Sequence, residues 1–161
     1  MNKHTPKKKW GQNFLIDSNT INKIISSIDF TNNDRLLEIG PGKGAITKKL
    51  GKNAKSLTAI EIDYNLSKML KEDCDKNIKI INEDFMKIDL ENIDANIIVG
   101  NLPYYITTPI LFKIFQSKLK WEKGYFLMQK EVAERIVSLP NQKSYGRLTI
   151  MCQIFSNPKI L

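Results

Sequence analysis

A cluster of three glycines limits the folds open to this chain more than any other feature of its sequence. The run Glu38-Ile39-Gly40-Pro41-Gly42-Lys43-Gly44 follows a short apolar stretch at residues 35–39. Glycine is favoured where the backbone turns sharply or approaches a ligand, because it carries no Cβ. A buried strand that ends in such a turn and leads into a helix is typical of α/β folds.

The spacing of this cluster separates it from two common nucleotide-binding loops. Its glycines follow G-x-G-x-G, whereas dinucleotide folds use G-x-G-x-x-G, which disfavours a nicotinamide-dependent oxidoreductase. Lys43 is not followed by Ser or Thr, and the P-loop spacing is absent, which disfavours phosphoryl transfer. Pro41 also lacks the amide hydrogen that a phosphate would need. Two interpretations remain, a ligand-binding loop and a plain turn between a strand and a helix.

Strand and helix patterns alternate along the rest of the chain. Apolar runs predict further strands at residues 57–60, 78–81, 97–99 and 125–128. Helices are predicted at residues 44–50, 64–72, 109–115 and 131–137, and the second of them is expected to point Leu66, Met69 and Leu70 inward. This order predicts βαβ units around a mostly parallel sheet, in which ligands bind beyond the carboxyl ends of the strands.

Helical patterns also mark both ends of the chain. A first helix, which Asp17 or Ser18 can cap, is indicated by the apolar stripe Ile21, Ile24, Ile25 and Ile28. A last helix is indicated by Leu148, Met151, Cys152 and Phe155. Asn157-Pro158 ends that helix, and residues 159–161 are predicted to begin another strand. We therefore expect the chain to be part of a longer protein.

The composition excludes several classes of protein. The chain has 161 residues, a length that suits one folded domain. It has 25 Lys and Arg against 17 Asp and Glu, and the resulting formal charge of +8 suits a polyanionic partner. No apolar run reaches the roughly 20 residues of a membrane span, and we expect no secretory signal. Cys74, Cys152 and His4 are too few for a disulfide framework, a cysteine-rich zinc site or a buried catalytic imidazole. The predicted compartment is the cytoplasm.

Acidic residues follow the second and third predicted strands. Glu61 lies about 20 residues after the first glycine, the distance at which a ribose-binding carboxylate is expected, and it would repel a 2′-phosphate. Asp84, beside Phe85, is placed to bind an adenine amino group at the same edge of the sheet. The plainer interpretations are an exposed acid at a strand end for Glu61 and a solvated loop acid for Asp84.

The fourth predicted strand ends in an unusual run, Gly100-Asn101-Leu102-Pro103-Tyr104-Tyr105-Ile106-Thr107. The side-chain oxygen of Asn101 and the carbonyl of Leu102 can accept the two hydrogens of an amino group on a flat base. Tyr104 can stack on that base, a contact worth roughly 1–3 kcal/mol, while Pro103 holds the carbonyl in place. A turn with ordinary aromatic packing is the alternative.

These motifs together resemble those of the ribosomal RNA adenine dimethyltransferases, which use S-adenosylmethionine. The matching stretches lie between about Lys9 and Leu161 and are Gly11-Gln12-Asn13-Phe14-Leu15, the glycine cluster, Glu61, Asp84-Phe85, Asn101-Leu102-Pro103-Tyr104, Gln129-Lys130-Glu131-Val132-Ala133 and Tyr145-Gly146-Arg147-Leu148. The glycine cluster alone indicates only a methyltransferase-like protein. The resemblance implies a Rossmann-like domain over residues 17–161, preceded by a basic segment over residues 1–16 that contacts the cofactor.

The resemblance also implies a role for individual residues. The cofactor contacts it implies are Asn13, Leu15, Gly40, Gly42, Glu61, Ile62, Asp84, Phe85 and Asn101. The catalytic residues it implies are Asn101, Leu102, Pro103 and Tyr104. Candidate RNA contacts are Lys7, Lys8, Lys9, Tyr105 and Arg147. No metal and no nucleophilic side chain are expected, because the methyl donor is already activated, and S-adenosylhomocysteine is the expected product.

Three functions are consistent with this resemblance: those of two enzyme subfamilies with different RNA substrates, and one without catalysis. The universal small-subunit enzymes dimethylate two adjacent adenines near the 3′ end of small-subunit ribosomal RNA and support ribosome biogenesis. The macrolide-resistance enzymes act on large-subunit RNA. The first subfamily is favoured by Leu102 and by the runs Tyr105-Ile106-Thr107-Thr108-Pro109 and Tyr145-Gly146-Arg147-Leu148. We expect the protein to act as a monomer. The third possibility is a ribosome assembly factor that binds RNA without turnover, against which the intact motif at residues 101–104 argues.

The chain departs from the family pattern at its end. Members of the family continue with further strands and a small helical domain, both of which are missing here. We therefore expect a sheet edge without a neighbour, and weak or no methylation by this fragment.

Overall fold

A parallel sheet forms the centre of the fold, as the alternating pattern predicts. The computed structural model describes residues 14–161. Its strands are Arg35–Ile39 (β1), Ser56–Glu61 (β2), Ile78–Asn82 (β3), Ile97–Asn101 (β4) and Lys123–Leu127 (β5). They pair in parallel in the order β3-β2-β1-β4-β5. The predicted Rossmann-like α/β class is therefore confirmed.

Six helices connect and flank these strands. They are Ser18–Ser27 (α1), Thr47–Gly51 (α2), Tyr64–Asp73 (α3), Thr107–Gln116 (α4), Lys130–Ile136 (α5) and Arg147–Phe155 (α6), with a short 3-10 helix at Leu90–Asn92. Asp17 caps α1 by accepting a hydrogen bond from the amide of Thr20 at 2.7 Å, so the first of the two predicted caps is correct. Among the helices of residues 14–161, none has the length and apolar character needed to cross a bilayer.

Alternate residues of each strand pack on opposite faces of the sheet. Leu37 and Ile98 belong to an apolar cluster with residues of α4, α5 and α6, whereas Leu36 and Ile97 belong to a second cluster with residues of α2 and α3. The partly buried isoleucines of α1 complete that second cluster. Because both faces are covered, the strands read as nearly continuous apolar runs in the sequence.

The register of the sheet brings the strand ends together at one edge. Ile39, the last residue of β1, is opposite Ile60 of β2 and Gly100 of β4. On the far sides, Glu61 is opposite Asn82, and the end of β4 is level with the end of β5. The strand order changes direction between β1 and β4, which is the place where α/β sheets open a crevice for ligands.

Three predicted details are wrong. Helix α2 begins at Thr47 rather than at residue 44, because Gly44 has a φ of +79° that a right-handed helix does not accept. Met69 is 37% exposed, whereas Leu66 and Leu70 on the same helix are buried. Residues 159–161 form no strand, since they pair with none of the described strands and follow α6 in an irregular conformation.

Among residues 14–161, strand β5 lies at one edge of the sheet and pairs only with β4.

Candidate functional site

The glycine cluster forms a tight loop between β1 and α2. Gly40, Gly42 and Gly44 have φ angles of +68°, +58° and +79°. The amide of Gly40 donates to the carbonyl of Ile60 at 3.0 Å, which carries the β1–β2 ladder one residue beyond the strand. A Cβ on Gly42 would lie 3.1 Å from Cδ1 of Phe14, so this glycine allows a ring to pack directly against the loop. The loop thus allows a side chain of this chain to pack directly against its backbone at Gly42.

Glu61 connects this loop to the end of β2. Its side chain is only 4% exposed. Oε2 accepts a hydrogen bond from the amide of Gly42 at 2.9 Å, and Oε1 accepts one from the amide of Asp63 at 2.8 Å. The interpretation of Glu61 as an exposed acid is therefore wrong. A carboxylate whose two oxygens are fixed in this way is an acceptor suited to a pair of neighbouring hydroxyls.

The loop after β3 brings a second acid and an aromatic ring to the same edge. Oδ1 of Asp84 accepts a hydrogen bond from the amide of Met86 at 2.9 Å, which fixes the direction of this carboxylate. Phe85 is buried in the core below it, and Ile62, after β2, is 40% exposed. An acid between two apolar side chains can bind the amino group of a flat ring and cover its faces.

The segment after β4 is held by its backbone and exposes its side chains. The amide of Leu102 donates to the carbonyl of Leu127 at 2.9 Å, and the Leu102 side chain is buried. The carbonyl of Pro103 accepts hydrogen bonds from the amide of Ile106 at 3.1 Å and from Oγ1 of Thr107 at 3.0 Å. These bonds fix a turn whose central residue Tyr104 is 51% exposed.

One cavity at the carboxyl edge of the sheet unites most of the predicted site residues. The predicted residues that line it are Gly40, Gly42, Glu61, Ile62, Asp84, Phe85, Asn101, Leu102, Pro103, Tyr104 and Tyr105. Two others are placed elsewhere: Leu15 packs against the apolar cluster beneath α1, and Arg147 is an exposed residue at the start of α6. Asn13, Lys7, Lys8 and Lys9 lie outside the described residues.

Several lining residues were not predicted. They are Phe14, Ile39, Ile60, Glu83, Met86, Ile106 and Ile110. Phe14 belongs to the motif at residues 11–15, and its ring also lies beneath the ammonium of Lys43, 4.9 Å from the ring centroid. Glu83 directly precedes Asp84 at the end of β3, so its place at this edge of the sheet was as predictable as that of Asp84. The remaining ones are apolar residues whose exposure to the cavity depends on the packing around them.

Glu38, the first residue of the glycine motif, is a buried acid beneath the site. Its side chain is 3% exposed. Burial raises the pKa of Glu38 to about 7, the nearby Thr47 hydroxyl lowers it in part, and the charge of Glu61 raises it. By strict geometry, Oε2 of Glu38 and Oγ1 of Thr47 have no hydrogen-bond partner among residues 14–161. The Glu38 carboxyl is therefore poised between its neutral and charged forms near neutral pH.

The charge on the cavity wall is uneven. Glu61, Glu83 and Asp84 line one side, and no lysine or arginine is found among the described lining residues. The opposite side has the amide of Asn101 and two tyrosines. Such a cavity can hold a cationic ligand with a ribose and a flat ring on the acidic side, and a second flat group on the aromatic side.

Comparison with known proteins identifies the family. The model of the ribosomal RNA adenine dimethylase family matches residues 3–161. The chain belongs to this family. Among named relatives, it is 46% identical to the Ribosomal RNA small subunit methyltransferase A of Streptococcus thermophilus, over 97% of the chain and 57% of that protein. It is 44% identical to the protein of the same name from Mycoplasma mobile, over 97% of the chain and 61% of that protein.

Solved structures of the family share the fold. A dimethyladenosine transferase from Plasmodium falciparum superimposes with a TM-score of 0.81 at 29% identity, over 88% of this chain and 52% of that one. The 23S rRNA methyltransferase ErmE superimposes with a TM-score of 0.69 at 32% identity, over 76% of this chain and 50% of that one. The chain spans about 57–61% of the length of the curated relatives it matches.

Proposed function

We propose that this chain is the cofactor-binding and catalytic part of an enzyme that uses S-adenosylmethionine to dimethylate N6 of two adjacent adenines near the 3′ end of small-subunit ribosomal RNA. The single observation that carries the proposal is the shared cavity, which joins Glu61 and Asp84 to the segment at residues 101–104. A donor site and an acceptor-base site that open into one space are what direct group transfer requires.

The acidic side of the cavity fits the cofactor. Glu61 is positioned by the amides of Gly42 and Asp63 and would accept hydrogen bonds from the two ribose hydroxyls. Asp84 would accept one from the adenine amino group, with Ile62 and Phe85 against the ring. The glycine loop leaves room for the methionine part, with Gly40 and Asn101 as its contacts, together with the predicted Asn13. Leu15 packs against the second apolar cluster and does not line the cavity.

The acid-rich wall also suits the charge of this cofactor. S-adenosylmethionine has a positive sulfonium and supplies, when bound, a methyl group that is already activated for transfer. The acids Glu61, Glu83 and Asp84 favour that cation by their electrostatic field. Because the donor is activated, the chain needs no nucleophilic side chain and no metal for the reaction.

The aromatic side of the cavity fits the acceptor base. The side-chain oxygen of Asn101 and the carbonyl of Leu102 would accept the two N6 hydrogens and turn the nitrogen lone pair toward the methyl group. Tyr104 would stack on the base after it has been taken out of its own stack. The proton would leave to water once the nitrogen is cationic, and a second round after cofactor exchange would complete the dimethyl product.

The names of the relatives compared above support the small-subunit substrate. The named relatives at 44–46% identity are small subunit methyltransferases A. The large-subunit enzyme ErmE shares 32% identity over 76% of the chain, so the large subunit is the second candidate substrate. The net charge of +8 suits an RNA partner, with Lys7, Lys8, Lys9 and Arg147 as candidate phosphate contacts. We infer that the protein works as a monomer in the cytoplasm.

Calorimetric titration with S-adenosylmethionine, with NAD as a parallel ligand, tests the cofactor site first. We expect saturable binding of S-adenosylmethionine alone, and a roughly 10- to 100-fold loss of affinity for Glu61→Gln, because hydrogen bonds to a charged group are worth about 1.5–3 kcal/mol. Glu122→Gln, which changes an exposed acid outside the cavity, is the matched control. A folded chain that binds NAD, or a Glu61→Gln variant that binds as the wild type does, would contradict the proposed site.

Methylation of isolated ribosomal subunits then tests the substrate. The proposal predicts labelling of immature small subunits and not of large subunits by the full-length protein. Labelling of large subunits would instead favour the second candidate. Equal support of small-subunit maturation by wild type and Asn101→Ala would indicate an assembly factor that works without turnover.

A further inference from the structure

The turn after β4 has two consecutive aromatic residues, Tyr104 and Tyr105, and the proposed function uses only the first of them. The hydrogen bond from the Ile106 amide to the Pro103 carbonyl closes a four-residue turn at 3.1 Å, with Tyr104 and Tyr105 at its two central positions. The two side chains are 51% and 61% exposed, and both line the cavity. Neither belongs to an apolar cluster of the core.

The turn is rigid although its side chains are open to solvent. Leu102 before it and Thr107 after it are buried, at 1% and 2% exposure. The Thr107 hydroxyl adds a second bond to the Pro103 carbonyl at 3.0 Å, and α4 begins directly after the turn. The backbone therefore holds both residues at the cavity rim, and neither side chain packs in an apolar cluster of the core.

The spacing of consecutive residues along the chain is close to that of consecutive nucleotides along one nucleic-acid strand. Consecutive Cα atoms lie about 3.8 Å apart, close to the roughly 3.4 Å advance per nucleotide along one strand. Aromatic side chains bind successive unpaired bases by stacking, and this contact tolerates any base because every base has a π-face. A base that remains in a duplex offers no free face to such a ring.

We propose that Tyr105 is a second stacking platform, which holds the nucleotide next to the target base, so that the substrate enters the site as a single strand with two unstacked bases. The inference rests on the proposed role of Tyr104 at the target base. It makes Tyr105 a residue that selects unpaired RNA and positions it, while the contacts of Tyr104 and Asn101 serve the reacting base.

The charges around the cavity indicate on which side the RNA backbone leaves it. The wall formed by Glu61, Glu83 and Asp84 repels phosphates, so the backbone of the strand leaves the cavity on the opposite side. On that side β4 pairs with β5, and α5 follows with Lys130, whose exposed ion pair with Glu134 is long at 3.6 Å. Exposed pairs of this kind contribute little, so Lys130 can exchange its partner for a phosphate.

Fluorescence titration with short RNAs tests the proposal. The probe is a single-stranded hexamer with adjacent adenines in which 2-aminopurine replaces the neighbour of the target base, so that the target keeps its N6 amino group. It is titrated in the presence of S-adenosylhomocysteine. Tyr105→Ala is expected to weaken binding roughly 5- to 100-fold and to abolish the fluorescence change of the neighbour probe. Tyr105→Phe keeps the ring and is expected to restore both. A hairpin with the same adenines paired is expected to bind weakly and equally to all variants.

Tyr64→Ala is the matched control, because Tyr64 is 67% exposed on α3 and does not line the cavity. S-adenosylmethionine affinity is measured for every variant and is expected to stay unchanged. The proposal is overturned if Tyr105→Ala binds the hexamer as Tyr64→Ala does, or if wild type binds S-adenosylmethionine but shows no response of the neighbour probe. Loss of S-adenosylmethionine binding by the wild type would instead count against the proposed function as a whole.

Discussion

The two sides of the cavity are built in opposite ways. On the acidic side, Glu61 is 4% exposed, and both of its oxygens accept hydrogen bonds from backbone amides. On the aromatic side, hydrogen bonds fix the backbone of the turn, and the rings of Tyr104 and Tyr105 are 51% and 61% exposed. The first side is complete before a ligand arrives, and the second offers surfaces that a ligand must cover.

Elementary energetics explains the difference. A charge in a cavity wall must be hydrogen-bonded to remain charged, and this requirement makes the acidic side rigid. An exposed tyrosine is tolerated in water and has few rotatable bonds to restrict on binding. A rigid acidic side suits a small cofactor with fixed shape, whereas an open aromatic side suits a flexible strand of RNA.

The largest expected effect separates chemistry from binding. Asn101→Ala removes the amide oxygen proposed to orient N6, and misplacement of a reacting group by about 1 Å costs on the order of 100-fold in rate. We therefore expect methylation by the full-length protein to fall by at least that factor. S-adenosylmethionine affinity should fall less than tenfold, because one neutral hydrogen bond is worth about 1 kcal/mol.

Single-turnover methylation and calorimetry measure these two quantities. Asn92→Ala, on the exposed 3-10 helix, is the control and should change neither. If Asn101→Ala lost cofactor binding and turnover to the same extent, Asn101 would serve the cofactor and not the base. The proposed separation between a cofactor side and a base side of the cavity would then be wrong.

The second prediction concerns the buried acid under the acidic side. The pKa of Glu38 is raised from 4.5 to about 7, so between these values the folded chain keeps a proton that the unfolded chain has lost. The free energy of unfolding therefore falls as pH rises through this window. The titration of Glu38 is expected to lower the free energy of unfolding by on the order of 3 kcal/mol between pH 4.5 and pH 8, since each unit of pKa difference is worth about 1.4 kcal/mol.

Glu38→Gln removes this titration and keeps the shape of the side chain. Urea unfolding of both proteins from pH 4.5 to 8 should give a wild-type curve that falls more steeply than that of the variant, with Glu122→Gln following the wild type. Parallel curves for wild type and Glu38→Gln would show that Glu38 keeps the same charge in the folded and unfolded chains.

The third prediction tests the aromatic side. Tyr104→Ala should weaken binding of the single-stranded hexamer by about 1–3 kcal/mol, and Tyr104→Phe should retain most of the affinity, because stacking needs only the ring. Neither change should alter S-adenosylmethionine affinity. A loss of equal size for Phe and Ala would mean that the hydroxyl carries the contact.

The smallest expected effect concerns the backbone of the acidic side. Gly42→Ala places a Cβ 3.1 Å from the Phe14 ring at a residue with a φ of +58°, a conformation that costs an L-residue about 1–2 kcal/mol. We expect a loss of stability of this size in urea unfolding and a weaker affinity for S-adenosylmethionine. An unchanged affinity would show that the loop tolerates the shift and that the Gly42 amide is not essential to Glu61.

The strand ends were predictable because the sheet is simple. Parallel strands in a βαβ order place their carboxyl ends at one edge, so the positions after each apolar run meet there whatever their residue type. This reasoning placed Gly40, Glu61, Asp84 and Asn101 together, and the cavity contains all four. It also predicted the start of α1 from one side-chain cap, because a cap depends only on neighbouring residues.

The errors arose where a residue depends on its surroundings. Met69 has the helical spacing of an inward residue, but the neighbouring elements reach only Leu66 and Leu70. Residues 159–161 have the apolar composition of a strand, yet a strand exists only with a partner beside it, and none of the described strands pairs with them.

The sequence by itself determined the α/β class, the position of the glycine loop and the residues at the strand ends, because local spacing and chain connectivity dictate these. Only the tertiary structure decided that Glu61 is buried and accepts hydrogen bonds from two amides, that Glu38 is buried, and that Tyr104 and Tyr105 are both exposed. Burial, hydrogen-bond partners and exposure depend on residues distant in the chain, which no local pattern specifies.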